Sequence, residues 1–86
     1  MNPDYVCEKF YKIKPKLNIN INKDMVVIEG KAKALEFLGK ILIAQSKFKK
    51  DCSFFISPKG AGYTFFLKES SKGVYIHRTP CLEKKH

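Results

Sequence analysis

The segment Leu17-Asn18-Ile19-Asn20-Ile21-Asn22 alternates strictly, aliphatic at the odd positions and asparagine at the even ones. Only a period of two gathers all three aliphatics on one side, so this stretch predicts a half-buried strand rather than a helix. Asn22-Lys23-Asp24 carries turn chemistry, and Met25-Val26-Val27-Ile28-Glu29 reads as the returning strand of a β-hairpin.

Gly30 ends that pattern, and a helical period takes over from residue 31 to residue 47. At about 100° per residue, Ala34, Leu35, Phe37, Leu38, Ile41, Leu42, Ala44 and Phe48 fall on one broad side. Lys33, Glu36, Lys40 and Lys47 fall opposite, so the helix lays one face on a core. Glu36 and Lys40 make a favourable i,i+4 pair, and Lys47, Lys49 and Lys50 suit the negative end of the helix dipole. Gly39 costs about 1 kcal/mol against alanine in a helix interior, and its place at the edge of the apolar side fits close approach to a sheet. Ile43 lies outside the stripe and is expected to be exposed.

Three further strands are expected at residues 52–57, 63–67 and 74–78, separated by the Lys59-Gly60-Ala61-Gly62 loop and a turn at residues 69–73. The predicted fold class is therefore α+β: a single amphipathic helix packed on an antiparallel sheet, in the order ββαβββ. Residues 1–16, punctuated by Pro3 and Pro15, form an N-terminal arm that packs Phe10 and Tyr11 against the domain. Residues 17–81 are the single domain, and residues 82–86 a polar tail. At 86 residues and 44% apolar, the chain has room for one core without obvious need of a metal or disulfide.

No apolar run approaches the ~20 residues that cross a bilayer, and Met1-Asn2-Pro3-Asp4-Tyr5 lacks the layout of a signal peptide. The expected compartment is the cytoplasm, with no membrane partner. Cys7, Cys52 and Cys81 are odd in number and widely spaced, which predicts three reduced thiols, with Cys52 buried at the start of a strand.

The net charge of +9 has two readings: a footprint for an anionic partner, or lysines that solvate the exterior. Of the 17 basic residues only Arg78 is an arginine. Sequence-specific DNA readers favour arginine's bidentate fork, so the scattered lysines fit solvation better.

Catalytic candidates are sparse. His86 is the last residue, which leaves His77 as the histidine a fold can hold. Cys81 follows it by four positions, but Pro80 intervenes and no orienting group is evident. His77, Cys81, His86 and Cys52 lack the paired spacing of structural zinc sites. Neither an enzyme nor a cofactor is expected.

Lys59-Gly60-Ala61-Gly62-Tyr63-Thr64-Phe65-Phe66 resembles the RNP1 signature of RNA-recognition motifs, in which sheet aromatics stack exposed bases. Ala61 stands where that motif has a ring, and the short stretch between Leu67 and Val74 leaves no room for a second helix. Binding of RNA or single-stranded nucleic acid is the alternative function. A more general argument comes from the strands. One helix covers one sheet face, yet Phe55, Phe66 and Tyr75 oppose Phe54, Phe65 and Ile76 across the pleat. The excess is covered by the arm, by a partner, or by self-association as a homodimer.

Val27-Ile28-Glu29-Gly30, the helix segment Ala34-Leu35-Glu36-Phe37-Leu38, the loop Pro58-Lys59-Gly60-Ala61-Gly62 and the run Val74-Tyr75-Ile76-His77-Arg78-Thr79-Pro80-Cys81 resemble, in that order, the small immunity proteins of bacterial polymorphic-toxin systems, notably the thirty-second immunity family. The resemblance covers Leu17 to Cys81. It implies a cytoplasmic protein that binds and neutralises a cognate toxin domain. The +9 charge and basic arm depart from that pattern, and by electrostatic complementarity they point to an acidic or neutral toxin surface. The expected partner-binding residues are Lys59, Gly60, Gly62, Tyr63, Phe65, Tyr75, His77 and Arg78.

Overall fold

The alternating segment builds the expected hairpin. In the computed structural model, which describes residues 2–81, β1 (Asn18–Asn22) pairs antiparallel with β2 (Met25–Glu29), from Asn18↔Glu29 to Asn22↔Met25. Lys23 opens the two-residue turn at φ 60°, the positive φ that primed hairpin turns use. Leu17 and Ile19 are enclosed, whereas Ile21 and its cross-strand partner Val26 run past the core into solvent.

Helix α2 (Ala32–Lys47) buries Ala34, Phe37, Leu38, Ile41, Ala44 and Gln45. Its core stripe is narrower than the periodicity implies, because Leu35 and Leu42 join Ile43 on the exposed side. Gly39 serves no close approach: a Cβ there would meet nothing within 4 Å. Glu36 pairs with Lys33 at 3.0 Å and with Lys40 at 3.9 Å. Both are surface pairs, worth about 0.5 kcal/mol or less each. At the C-terminal end, Arg78 Nη2 donates to the Phe48 carbonyl at 2.7 Å, a cationic cap from a distant strand.

Part of the N-terminal arm is helical. The Tyr5 N–H donates to Asn2 Oδ1 at 2.8 Å and Pro3 occupies the first turn, starting α1 (Pro3–Phe10). Its Val6 and Phe10 are buried, and the Phe10 ring lies 5.4 Å from that of Phe37 on α2.

The expected strand at residues 63–67 is instead a 3₁₀ turn (Tyr63–Phe65), entered through Gly62 at φ 76°. Phe66 makes a single parallel bridge to Leu17. The turn drives Phe65 inward, where its ring stacks on Phe37 at 4.5 Å. Phe10, Phe37 and Phe65 thus form an aromatic seam joining α1, α2 and this turn.

β3 (Ser53–Ile56) and β4 (Val74–His77) form a second antiparallel pair. The α+β class holds, but the single sheet and single helix do not: among the described residues two α-helices accompany two separate two-stranded sheets, in the order αββαββ. Leu17 links the halves, its N–H donating to Phe65 O and its carbonyl accepting from the Leu67 N–H, both at 2.9 Å. Among the described residues no helix is long and apolar enough to cross a membrane.

Cys52 and Cys81 are disulfide-bonded, contrary to the expectation of three thiols, and Cys7 remains free. The strand register explains the pairing. Cys52 immediately precedes β3, Arg78 N–H donates to its carbonyl at 2.8 Å, and the chain beyond β4 returns Cys81 to a Cα–Cα distance of 5.6 Å. The predicted polar tail at residues 82–86 lies outside the described residues.

Candidate functional site

Alternation in β3 and β4 sorts their side chains onto two faces. Ile56 turns to the core with Phe54, Val74 and Ile76 packed beside it, so Ser53, Phe55, Tyr75 and His77 share the outer face. Phe55 and Tyr75 stand directly opposite each other, their rings stacked at 6.1 Å and 10°. They remain 55% and 68% exposed, respectively, so this stack is presented to solvent.

The polar end of the face is also organised. Ser53 Oγ lies 3.0 Å from His77 Nδ1, and Tyr75 Oη donates to Ser53 Oγ at 3.3 Å. Asp51 Oδ1 accepts from the Ser53 N–H at 3.0 Å and holds the start of β3. Ser53 and His77 resemble a nucleophile and its base, but among the described residues no carboxylate bonds the second imidazole nitrogen, and the pair lies on an open strand surface. A depression beside the stack, about 200 Å³, is shallow and lined by Phe55, Ser57, Gly73 and Tyr75 among others.

The predicted partner-binding residues divide into four groups. Tyr75 and His77 are on the outer face, while Lys59, Gly60 and Tyr63 are exposed on the connection that follows β3. Gly62 and Phe65 belong to the interior layer. A Cβ on Gly62 would fall 2.5 Å from Ile56 Cγ2, so the connection folds back beneath β3, and Phe65 is only 5% exposed. Arg78 is half-buried and committed to the end of α2. Phe55 and Ser53 join this face beyond the residues that the sequence points to. The signal that finds them is the β3–β4 register, which places each opposite a predicted residue.

A wider cleft, about 750 Å³, opens elsewhere, at the start of α2, with Lys14, Lys16, Lys31 and Lys33 in its wall. Lys31 provides no side-chain cap and the first turn of α2 has no acid, so the helix terminus adds to the positive field there. Lys16 is turned away in part, donating to Thr64 O at 2.7 Å. Cys81 and Cys52, bonded to each other, are not available as metal ligands with His77. Compared with protein-family models, curated proteins and solved structures, the chain matches none.

Proposed function

We propose that this chain is a non-enzymatic protein-binding module whose contact face is the outer side of β3–β4. The observation that carries the reading is the solvent-facing Phe55–Tyr75 stack. Two opposed rings on a rigid two-stranded ladder offer a large apolar anchor with little entropy left to lose, as binding hot spots do. Ser53, His77 and the Tyr75 hydroxyl provide a polar rim beside it. The immunity-protein reading gives this face an occupant, a cognate toxin domain with an acidic or neutral surface. The Cys52–Cys81 bond favours an oxidising compartment over the cytoplasmic expectation, because cytosolic thiols are kept reduced.

The test is survival of cells expressing a toxin domain encoded beside this chain. Protection by the wild type, a stable complex on co-purification and loss of both in Phe55→Ala/Tyr75→Ala support the proposal. Undiminished binding by that double variant, or no complex with the neighbouring product, defeats it.

A second reading takes the same stack as a platform for bases, with the +9 charge supplying phosphate contacts. It requires binding of single-stranded RNA or DNA that falls steeply with salt. No retardation of a mixed oligonucleotide at low salt removes it.

A further inference from the structure

Among the described residues nothing pairs with the outer edge of β2, and hydrogen-bond parity shows which groups it presents. Ile19 uses its N–H and carbonyl on the side away from β2: its N–H donates to Ser70 Oγ at 2.8 Å and its carbonyl accepts from Lys72 N–H at 2.9 Å. The Ile19↔Ile28 pair is therefore a non-hydrogen-bonded pair, and so is Ile21↔Val26. Val26 and Ile28 consequently point their N–H and C=O groups outward, where no described residue meets them.

This edge also lacks two of the usual protections. Met25-Val26-Val27-Ile28-Glu29 contains no proline and no lysine, and it is predominantly β-branched. Val26 is 60% exposed and lies beside exposed Ile21 and Ile28 on one face of the hairpin. An apolar face and an unpaired edge thus coincide on five residues.

We propose that the β2 edge pairs antiparallel with the β2 edge of a second copy of this chain, centred on Val26, giving a four-stranded sheet. Symmetry restricts the register. A two-fold axis perpendicular to the sheet keeps like faces together, so the pair must centre on a residue rather than between residues. Charge then separates the registers. Centring on Val27 sets Lys23 against Lys31 of the other copy. Centring on Ile28 leaves Glu29 against Val27 and Lys31 against Met25, with no ion pair. Centring on Val26 sets Lys23 against Glu29 twice, by symmetry, and Met25 against Val27. On the other face Val26 meets Val26, flanked by Ile21 of each copy, so these four side chains form one apolar strip, with Asp24 of each copy opposite Ile28 at its ends.

The interface is small and joins two strongly basic chains, so association is concentration-dependent and strengthens as moderate salt screens the net repulsion. Sedimentation of the oxidised full chain up to about 1 mM tests it, together with amide exchange. The expected result is a monomer–dimer equilibrium in which the Val26 and Ile28 amides become protected as concentration rises. Val26→Lys should abolish the dimer while circular dichroism and melting remain those of a folded chain. Glu29→Lys should weaken it about tenfold, and adding Lys23→Glu should restore it. A monomer at every concentration, a dimer indifferent to Val26→Lys, or unprotected Val26 and Ile28 amides overturns the proposal, as does a charge swap that fails to rescue.

Discussion

Ser70 takes the Ile19 amide proton on its hydroxyl oxygen at 2.8 Å, across 51 positions of sequence. Its own proton has the carbonyls of Lys72 at 3.1 Å and Ile19 at 3.3 Å as acceptors. Ser70 is buried although it sits in a polar turn, because it closes the inner edge of β1 where no strand does. Ser70→Ala would leave the Ile19 amide enclosed without a partner. The expected loss is about 1–3 kcal/mol, read from the urea midpoint at unchanged slope.

Gly73 sits where the chain turns into β4. A Cβ there would strike the Ile56 carbonyl oxygen and lie 2.7 Å from Ser57 Cα. Both obstacles are backbone, so relief requires parting β3 from β4. Gly73→Ala should cost more than about 2 kcal/mol, whereas Gly60→Ala, with nothing nearer than 3.8 Å, should stay within about 0.5 kcal/mol. Thermal unfolding of the two variants side by side checks the contrast.

The Cys52–Cys81 bond closes a separation of 29 residues around the whole β3–β4 unit. Its removal by Cys52→Ala/Cys81→Ala should lower stability by about 3–4 kcal/mol on loop-entropy grounds. The measurement is denaturation of wild type and double variant with and without reductant. The two should converge when reductant is present.

Cys7 behaves differently. Burial, followed by the nearby Asp4 carboxylate, raises its thiol from 9.0 to about 11. The folded chain therefore favours the protonated thiol. That contribution is intact below about pH 9 and is lost as pH rises toward about 11. At pH 8, alkylation of Cys7 by iodoacetamide should run more than about tenfold slower in the native chain than in urea.

Legibility tracked the range of the interaction involved. The β1–β2 hairpin and α2 follow periods of two and about 3.6, and those periods are local. β3 and β4 were legible for the same reason, and Tyr75 and His77 with them. α1 did have a local signal, Asn2 before Pro3, but eight residues give too few turns for a period to show. The failure at residues 63–67 has another origin. An aromatic run with high strand propensity is bent into a 3₁₀ turn because Gly62 enters it left-handed and Phe65 finds a place on Phe37. That place exists only once α1 and α2 have met. Likewise the disulfide depends on the β3–β4 register, and the same register sets Phe55 beside Tyr75 on the outer face.

The long reach from Ile19 to Ser70 and Lys72 also orders events during synthesis. The β1–β2 hairpin can close as soon as Glu29 leaves the ribosome, because all of its own partners are already present. At that moment it is a ribbon with two bare edges, and a solitary two-stranded ribbon is barely stable in water. The inner edge waits until more than forty further residues have emerged, about two to nine seconds at ordinary elongation rates. During that interval a nascent chain displays Ile19 and Val26 on opposite edges of one ribbon. Neighbouring chains on one message could then pair through the wrong edge, so crowded translation is the condition under which this small fold is most exposed to error.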